Sequence, residues 1–131
     1  MKVTPGGYAP RIAVSFVAGS TNESNVLFEV LDAEGNAVEE PYIIRAWLSD
    51  AATGLGLTGT ATSSAAAIVS GFGSVFTIQT AKKDWFLQTN ADGQAKLLLT
   101  DSSETLFYAC ATDPRTAVAV VSELMVAGDW G

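Results

Sequence analysis

At 131 residues the chain has room for one hydrophobic core and not for two. Charged residues are 16% of it, against about 25% in an average soluble domain, and 48% are hydrophobic, a balance that excludes intrinsic disorder. A net charge of −7 opposes contact with phosphate backbones and anionic bilayers, so neither nucleic acid nor membrane is expected as a direct partner.

Two prolines and two glycines within Met1–Pro10 forbid a regular helix and predict an extended N-terminal arm, residues 1–10, ahead of a domain spanning residues 11–131. From Arg11 onward, Ile12, Val14, Phe16 and Ala18 alternate with Arg11, Ala13, Ser15 and Val17, the period of two that marks a strand. Gly19–Ser24 is a polar loop. Its Asn22-Glu23-Ser24 matches the glycosylation acceptor pattern, read as accidental in a chain without an export signal. A second strand, Asn25–Asp32, alternates Val26, Phe28 and Val30 with Leu27, Glu29 and Leu31 before turning at Ala33-Glu34-Gly35-Asn36.

Pro41 opens a third strand, Tyr42–Asp50, apolar on both faces as suits a strand covered on both sides, with Trp47 a core candidate. Residues 51–73 are mostly Ala, Gly, Ser and Thr, and Ala65–Val69 is the only place where a short helix is conceivable. Strands are predicted again over Ser74–Thr80, Trp85–Thr89, Gln94–Thr100, Glu104–Ala111 and Thr116–Leu124, with Tyr108 assigned to the core. Short strands at regular spacing, with no amphipathic helix, predict an all-β sandwich of seven to eight strands.

No apolar run approaches the roughly 18 residues of a membrane-spanning helix, and Met1–Pro10 lacks a signal peptide's apolar centre, so a soluble, unexported chain is expected. Cys110 is the single cysteine, which rules out an internal disulfide, and its apolar surroundings predict a buried thiol. A small free-standing domain normally covers itself with charge; the scarcity here means either that part of the surface is buried by a partner, or that alanine and β-branched residues alone raise the hydropathy.

The chain has no histidine, which removes the usual general base and the commonest metal ligand. Asp50, Asp84, Asp92 and Asp101 stand at strand ends, where Asp is a routine turn residue. Placing Gly93 at the invariant sixth position of a calcium loop puts Gln88 first and Leu99 twelfth, where acidic ligands are required. Gly71-Phe72-Gly73 lacks the third glycine of a dinucleotide loop, and Lys82-Lys83 beside Trp85 reads as a solvated hairpin tip. The expectation is a protein that is not an enzyme and has no catalytic, metal or cofactor-binding residue.

Two stretches carry a resemblance. Val26-Leu27-Phe28-Glu29-Val30-Leu31-Asp32-Ala33-Glu34-Gly35-Asn36-Ala37-Val38 is similar to the strand-turn signature of bacterial and phage immunoglobulin-like domains, and Thr89–Leu99 followed by Thr105–Ala109 resembles their later half. Arg45–Gly54, with Trp85 and the Asp92-Gly93 turn downstream, resembles small immunoglobulin-like virion proteins of tailed bacteriophages over roughly Asn25–Leu124. The resemblance implies an immunoglobulin-like β-sandwich acting as a capsid decoration or cement subunit on the outer surface of the head. Its implied partners are the major capsid protein or other virion subunits, with a homo-oligomer also open. Val3, Tyr8 and Trp130, outside the core pattern, are the candidate interface residues. The competing reading is a tail- or fibre-associated module that binds host-surface carbohydrate or receptor through Trp130 and Tyr8; either side chain would serve equally well to anchor its own terminus.

Overall fold

In the computed structural model the residues described are 11–60, 62, 66–112 and 119–131; the expected arm, with Val3 and Tyr8, lies outside them. They form nine strands: β1 (Arg11–Ala18), β2 (Glu23–Leu31), β3 (Ile43–Ser49), β4 (Ala67–Ile68), β5 (Ser74–Thr80), β6 (Asp84–Gln88), β7 (Gln94–Thr100), β8 (Tyr108–Thr112) and β9 (Ala119–Val121). All pairings among them are antiparallel, giving a four-stranded sheet of order β1-β2-β7-β4 and a five-stranded sheet of order β5-β6-β3-β8-β9. The architecture is an all-β sandwich.

Alternation dictates which faces meet. Val26, Phe28 and Val30 of β2 and Ala95, Leu97 and Leu99 of β7 point inward, while the residues between them are half-buried. From the other sheet come Ile44, Ala46 and Leu48 of β3, Trp85 and Leu87 of β6, and Ala109 and Ala111 of β8, closing one continuous apolar cluster. Each fully buried large side chain in it contributes about 1.5–3 kcal/mol relative to exposure.

Three turns repeat one local device. Asp32 Oδ1 accepts the amides of Glu34 and Asn36; Asn90 Oδ1 accepts those of Asp92 and Gln94; Asp101 accepts Ser103 on Oδ1 and Thr105 on Oδ2. In each turn the fourth residue donates its amide to the first residue's carbonyl and takes a left-handed backbone: Gly35 at φ 87°, Gly93 at 75° and Glu104 at 47°. Short polar side chains bonding forward in this way compete with strand continuation, which is why the chain reverses at these points.

Four expectations need correction. The helix conceivable at Ala65–Val69 does not form over its described residues: Ala67–Ile68 is a strand paired with Leu98 and Leu97, because an apolar run this short cannot repay helix nucleation. This is β4, which brings the described strands to nine against the seven to eight expected. The strand expected from Glu104 begins only at Tyr108, since the Asp101 turn occupies the intervening residues. The strand expected over Thr116–Leu124 is seen as Ala119–Val121, residues 113–118 lying outside those described. Trp47 and Tyr108 are not in the sandwich core: the inward parity of β3 and β8 belongs to their neighbours, so both face the outer side of the five-stranded sheet, where Trp47 is buried and Tyr108 half-buried.

Candidate functional site

The outer face of the five-stranded sheet holds the densest polar and aromatic cluster. Arg45 donates from Nε to Asp84 Oδ1 at 3.1 Å and from Nη2 to Oδ2 at 2.9 Å, and its guanidinium lies 4.8 Å from the Trp47 ring centroid. The bonds to Asp84 raise the Arg45 pKa against the opposing effect of partial burial. Trp47 donates Nε1–H to the carbonyl of Gly54 at 2.9 Å, which draws the loop after β3 down over the sheet. Gly54, at φ 75°, is required there, because a Cβ would stand 2.9 Å from Val121 Cγ2 and 3.3 Å from Cys110 Sγ. Burial under this loop pushes the Cys110 thiol up to about 11, so it stays protonated and unreactive at neutral pH. The cluster is a second small core that fixes a loop.

The carboxylates flagged in the sequence are spread apart. Asp50 accepts the Gly59 amide at 2.9 Å and the Thr58 hydroxyl at 2.6 Å, and these two bonds lower its pKa. Asp101 organises its own turn, and Asp92 sits exposed in the turn that Asn90 organises. Among the described residues no three of His, Cys, Asp and Glu come together, and no helix is long and apolar enough to cross a membrane.

Of the three candidate interface residues, Val3 and Tyr8 fall outside the described residues, and Trp130 is corrected. Its side chain is 5% exposed within the core cluster, with Nε1 donating to the Thr105 carbonyl at 3.2 Å. Beside it, Gly131 donates to the Glu23 carbonyl and accepts from the Asn22 amide, so this tail anchors itself to the domain. All three tryptophans of the chain are thus spent internally, and none offers an open ring face for stacking.

The surface also carries large apolar side chains. Leu55 is 78% exposed at the tip of the loop over Trp47, and Phe76 and Ile78 of β5 are 62% and 58% exposed, with Val75, Ile43 and Leu57 open to a lesser degree. A smaller group, Leu106, Leu124 and Val126, lies on the segments joined by the Met125 amide and the Phe107 carbonyl. Sequence reasoning placed the strand at Ser74–Thr80 but not its exposure. The signal was present: no charged residue stands between Asp50 and Lys82, and both main exposed groups fall inside that stretch. No family model matches the chain, and neither a curated protein nor a solved structure does.

Proposed function

We propose that this chain is a non-enzymatic structural subunit of a tailed-bacteriophage virion, an immunoglobulin-like decoration or cement protein bound to the outside of the head. The observation that carries the reading is the uncharged stretch between Asp50 and Lys82, which presents Leu55, Phe76 and Ile78 to solvent in a chain of net charge −7. Isolated exposed apolar residues are ordinary, but several large ones carried by one uncharged stretch of sequence fit a surface meant to be covered. The resemblance of Arg45–Gly54 to small virion proteins of tailed bacteriophages, and of the Asp32 and Asn90 turn stretches to bacterial and phage immunoglobulin-like domains, supplies the context.

The mechanism in this reading is mechanical. A subunit that lays apolar area across a capsomer seam adds a free energy that must be overcome before the shell opens, and no reacting group is needed. The burial of all three indoles counts against the sugar-stacking alternative. Co-sedimentation with heads of the phage encoding the chain, run beside a glycan array, tests the choice. Saturable head binding with a blank array supports the decoration role; glycan binding without head binding overturns it.

A further inference from the structure

We infer that residues 123–131 are a strap that closes one end of the sandwich and opens as a unit while both sheets stay folded. The inference does not depend on the phage reading. Ser122 still belongs to the sheet: its amide donates to the Ala109 carbonyl at 2.9 Å, and its Oγ accepts the Ala109 amide at 3.0 Å. Beyond it the chain leaves the five-stranded sheet, crosses the end of the sandwich and reaches the β1–β2 turn of the four-stranded sheet.

The strap is fastened at two separate places. At the first, Met125 is fully buried and its amide donates to the Phe107 carbonyl at 3.1 Å. At the second, Trp130 is buried in the same core cluster and donates Nε1–H to the Thr105 carbonyl. Beside it, Gly131 donates to the Glu23 carbonyl at 2.9 Å and accepts the Asn22 amide at 2.8 Å. Glycine is needed there, because a Cβ would run into the carbonyl oxygens of Gly19 and Ser20. Asn22 passes the tie on, its own carbonyl accepting the Asp101 amide at 2.9 Å. Neither fastening is a strand pairing.

The remainder of the strap is exposed and holds itself together. Glu123 and Leu124 form an exposed hinge ahead of Met125, and Val126, Ala127 and Gly128 are exposed between the fastenings. A single 3-10 turn over Ala127–Asp129 satisfies its own groups: Asp129 Oδ2 accepts the Val126 amide, and the Asp129 and Trp130 amides donate to the carbonyls of Val126 and Ala127. These bonds survive undocking, so the cost of opening falls on the two fastenings. A segment held by few buried side chains opens below the global transition, whereas β2, paired along both edges with β1 and β7, opens only with the whole domain. The turn joins Met125 to Trp130, so release of one removes the hold on the other, and opening is a change between two positions rather than gradual fraying. It gives a domain whose indoles are all enclosed a way to expose Trp130 without unfolding.

Native-state hydrogen exchange of the full chain, followed by NMR over a series of low urea concentrations, tests the strap without any substitution. The amides of Asn22, Met125 and Gly131 donate across the fastenings. They are expected to show matching protection, roughly a hundredfold or more below that of amides bonded in the β2–β7 ladder, and a shallow dependence on urea until they join the global transition. Protection equal to the ladder's and lost as steeply with urea would mean that the strap opens only by global unfolding, and would overturn the inference. Unrelated protection at the three amides would overturn it too, since ends that fray one by one are not a unit. Trp130→Phe keeps an aromatic ring and removes the Nε1–H donor, so it should lower protection at all three amides by one common factor. A loss confined to Asn22 and Gly131 would break the coupling between the fastenings and overturn the inference.

Discussion

Arg45 on β3 and Asp84 on β6 are diagonal neighbours across one strand pairing, since Arg45 lies opposite Phe86 and Asp84 opposite Trp47, and the two-point ion pair between them bridges that diagonal over the indole. Asp84 is nearly covered while Arg45 keeps 40% of its side chain exposed, so the aspartate depends on the pair more than the arginine does. Arg45→Met is therefore expected to destabilise the fold by about 1–3 kcal/mol, because it strands a buried carboxylate. The double variant Arg45→Met/Asp84→Leu should recover most of that loss. Urea titration of both proteins checks the order; a double variant weaker than the single would show that the pair is net stabilising beyond desolvation.

Glu104 is the one non-glycine among the three repeated turns' left-handed positions. Holding an L side chain there costs about 1–2 kcal/mol, while a glycine returns about 0.4–1 through the freer unfolded chain. Glu104→Gly should therefore raise stability by roughly 0.5–1 kcal/mol. Gly93→Ala should do the reverse, by more than about 2 kcal/mol, since it meets both the backbone penalty and a Val38 carbonyl oxygen 2.5 Å from the new Cβ. Thermal melts of the two variants give the comparison directly.

Gly54 and Cys110 make a second pair of linked expectations. Gly54→Ala forces a methyl toward Val121 and the thiol at a left-handed position, so the loop should lift from Trp47 at a cost of about 1–2 kcal/mol. Cys110 should then react with a thiol reagent faster than in the parent, where burial keeps it near its raised value of about 11. Labelling rates below the global unfolding transition read this out, and an unchanged rate would place the protection elsewhere.

Asp50 gives the fold a pH dependence of known sign. The Gly59 amide, then the Thr58 hydroxyl, favour its charged form, so its folded pKa lies below the unfolded value of about 3.9. The stability it contributes is complete above that unfolded value and is lost as pH falls through the folded one. The Gly59 amide shift, followed by NMR in acid, should titrate with a midpoint below that of an ordinary aspartate. A midpoint at or above the ordinary value would mean that the Asp50–Gly59 bond does not hold in solution.

How far the sequence could be read follows from where its alternation was clean. β1, β5 and β7 stand at their expected residues, and β2 and β6 within two, because polar and apolar side chains alternate there or turn residues bound them. Apolar residues on both faces of β3 correctly marked a covered strand, but period alone does not say which face is the core. Trp47 was therefore set on the wrong side, under a loop whose descent depends on one bond to Gly54. For Trp130 the sequence left anchoring of its terminus and an exposed interface both open, because the Thr105 carbonyl that receives its indole is distant in sequence and no local pattern announces it. The apolar exposure of β5 goes with its place at the end of the five-stranded sheet, which the β5 residues do not encode.

If the chain is a cement subunit, its effect is read in the thermal opening of phage heads. Heads of the encoding phage, stripped of this chain, are heated with and without the purified protein added back, and DNA release is followed with an intercalating dye. The expected result is saturable binding and a release temperature that rises with occupancy, as for any ligand that binds the closed shell in preference to the open one. Release at the same temperature with and without the chain, whether because it fails to bind or because binding adds nothing, would contradict it.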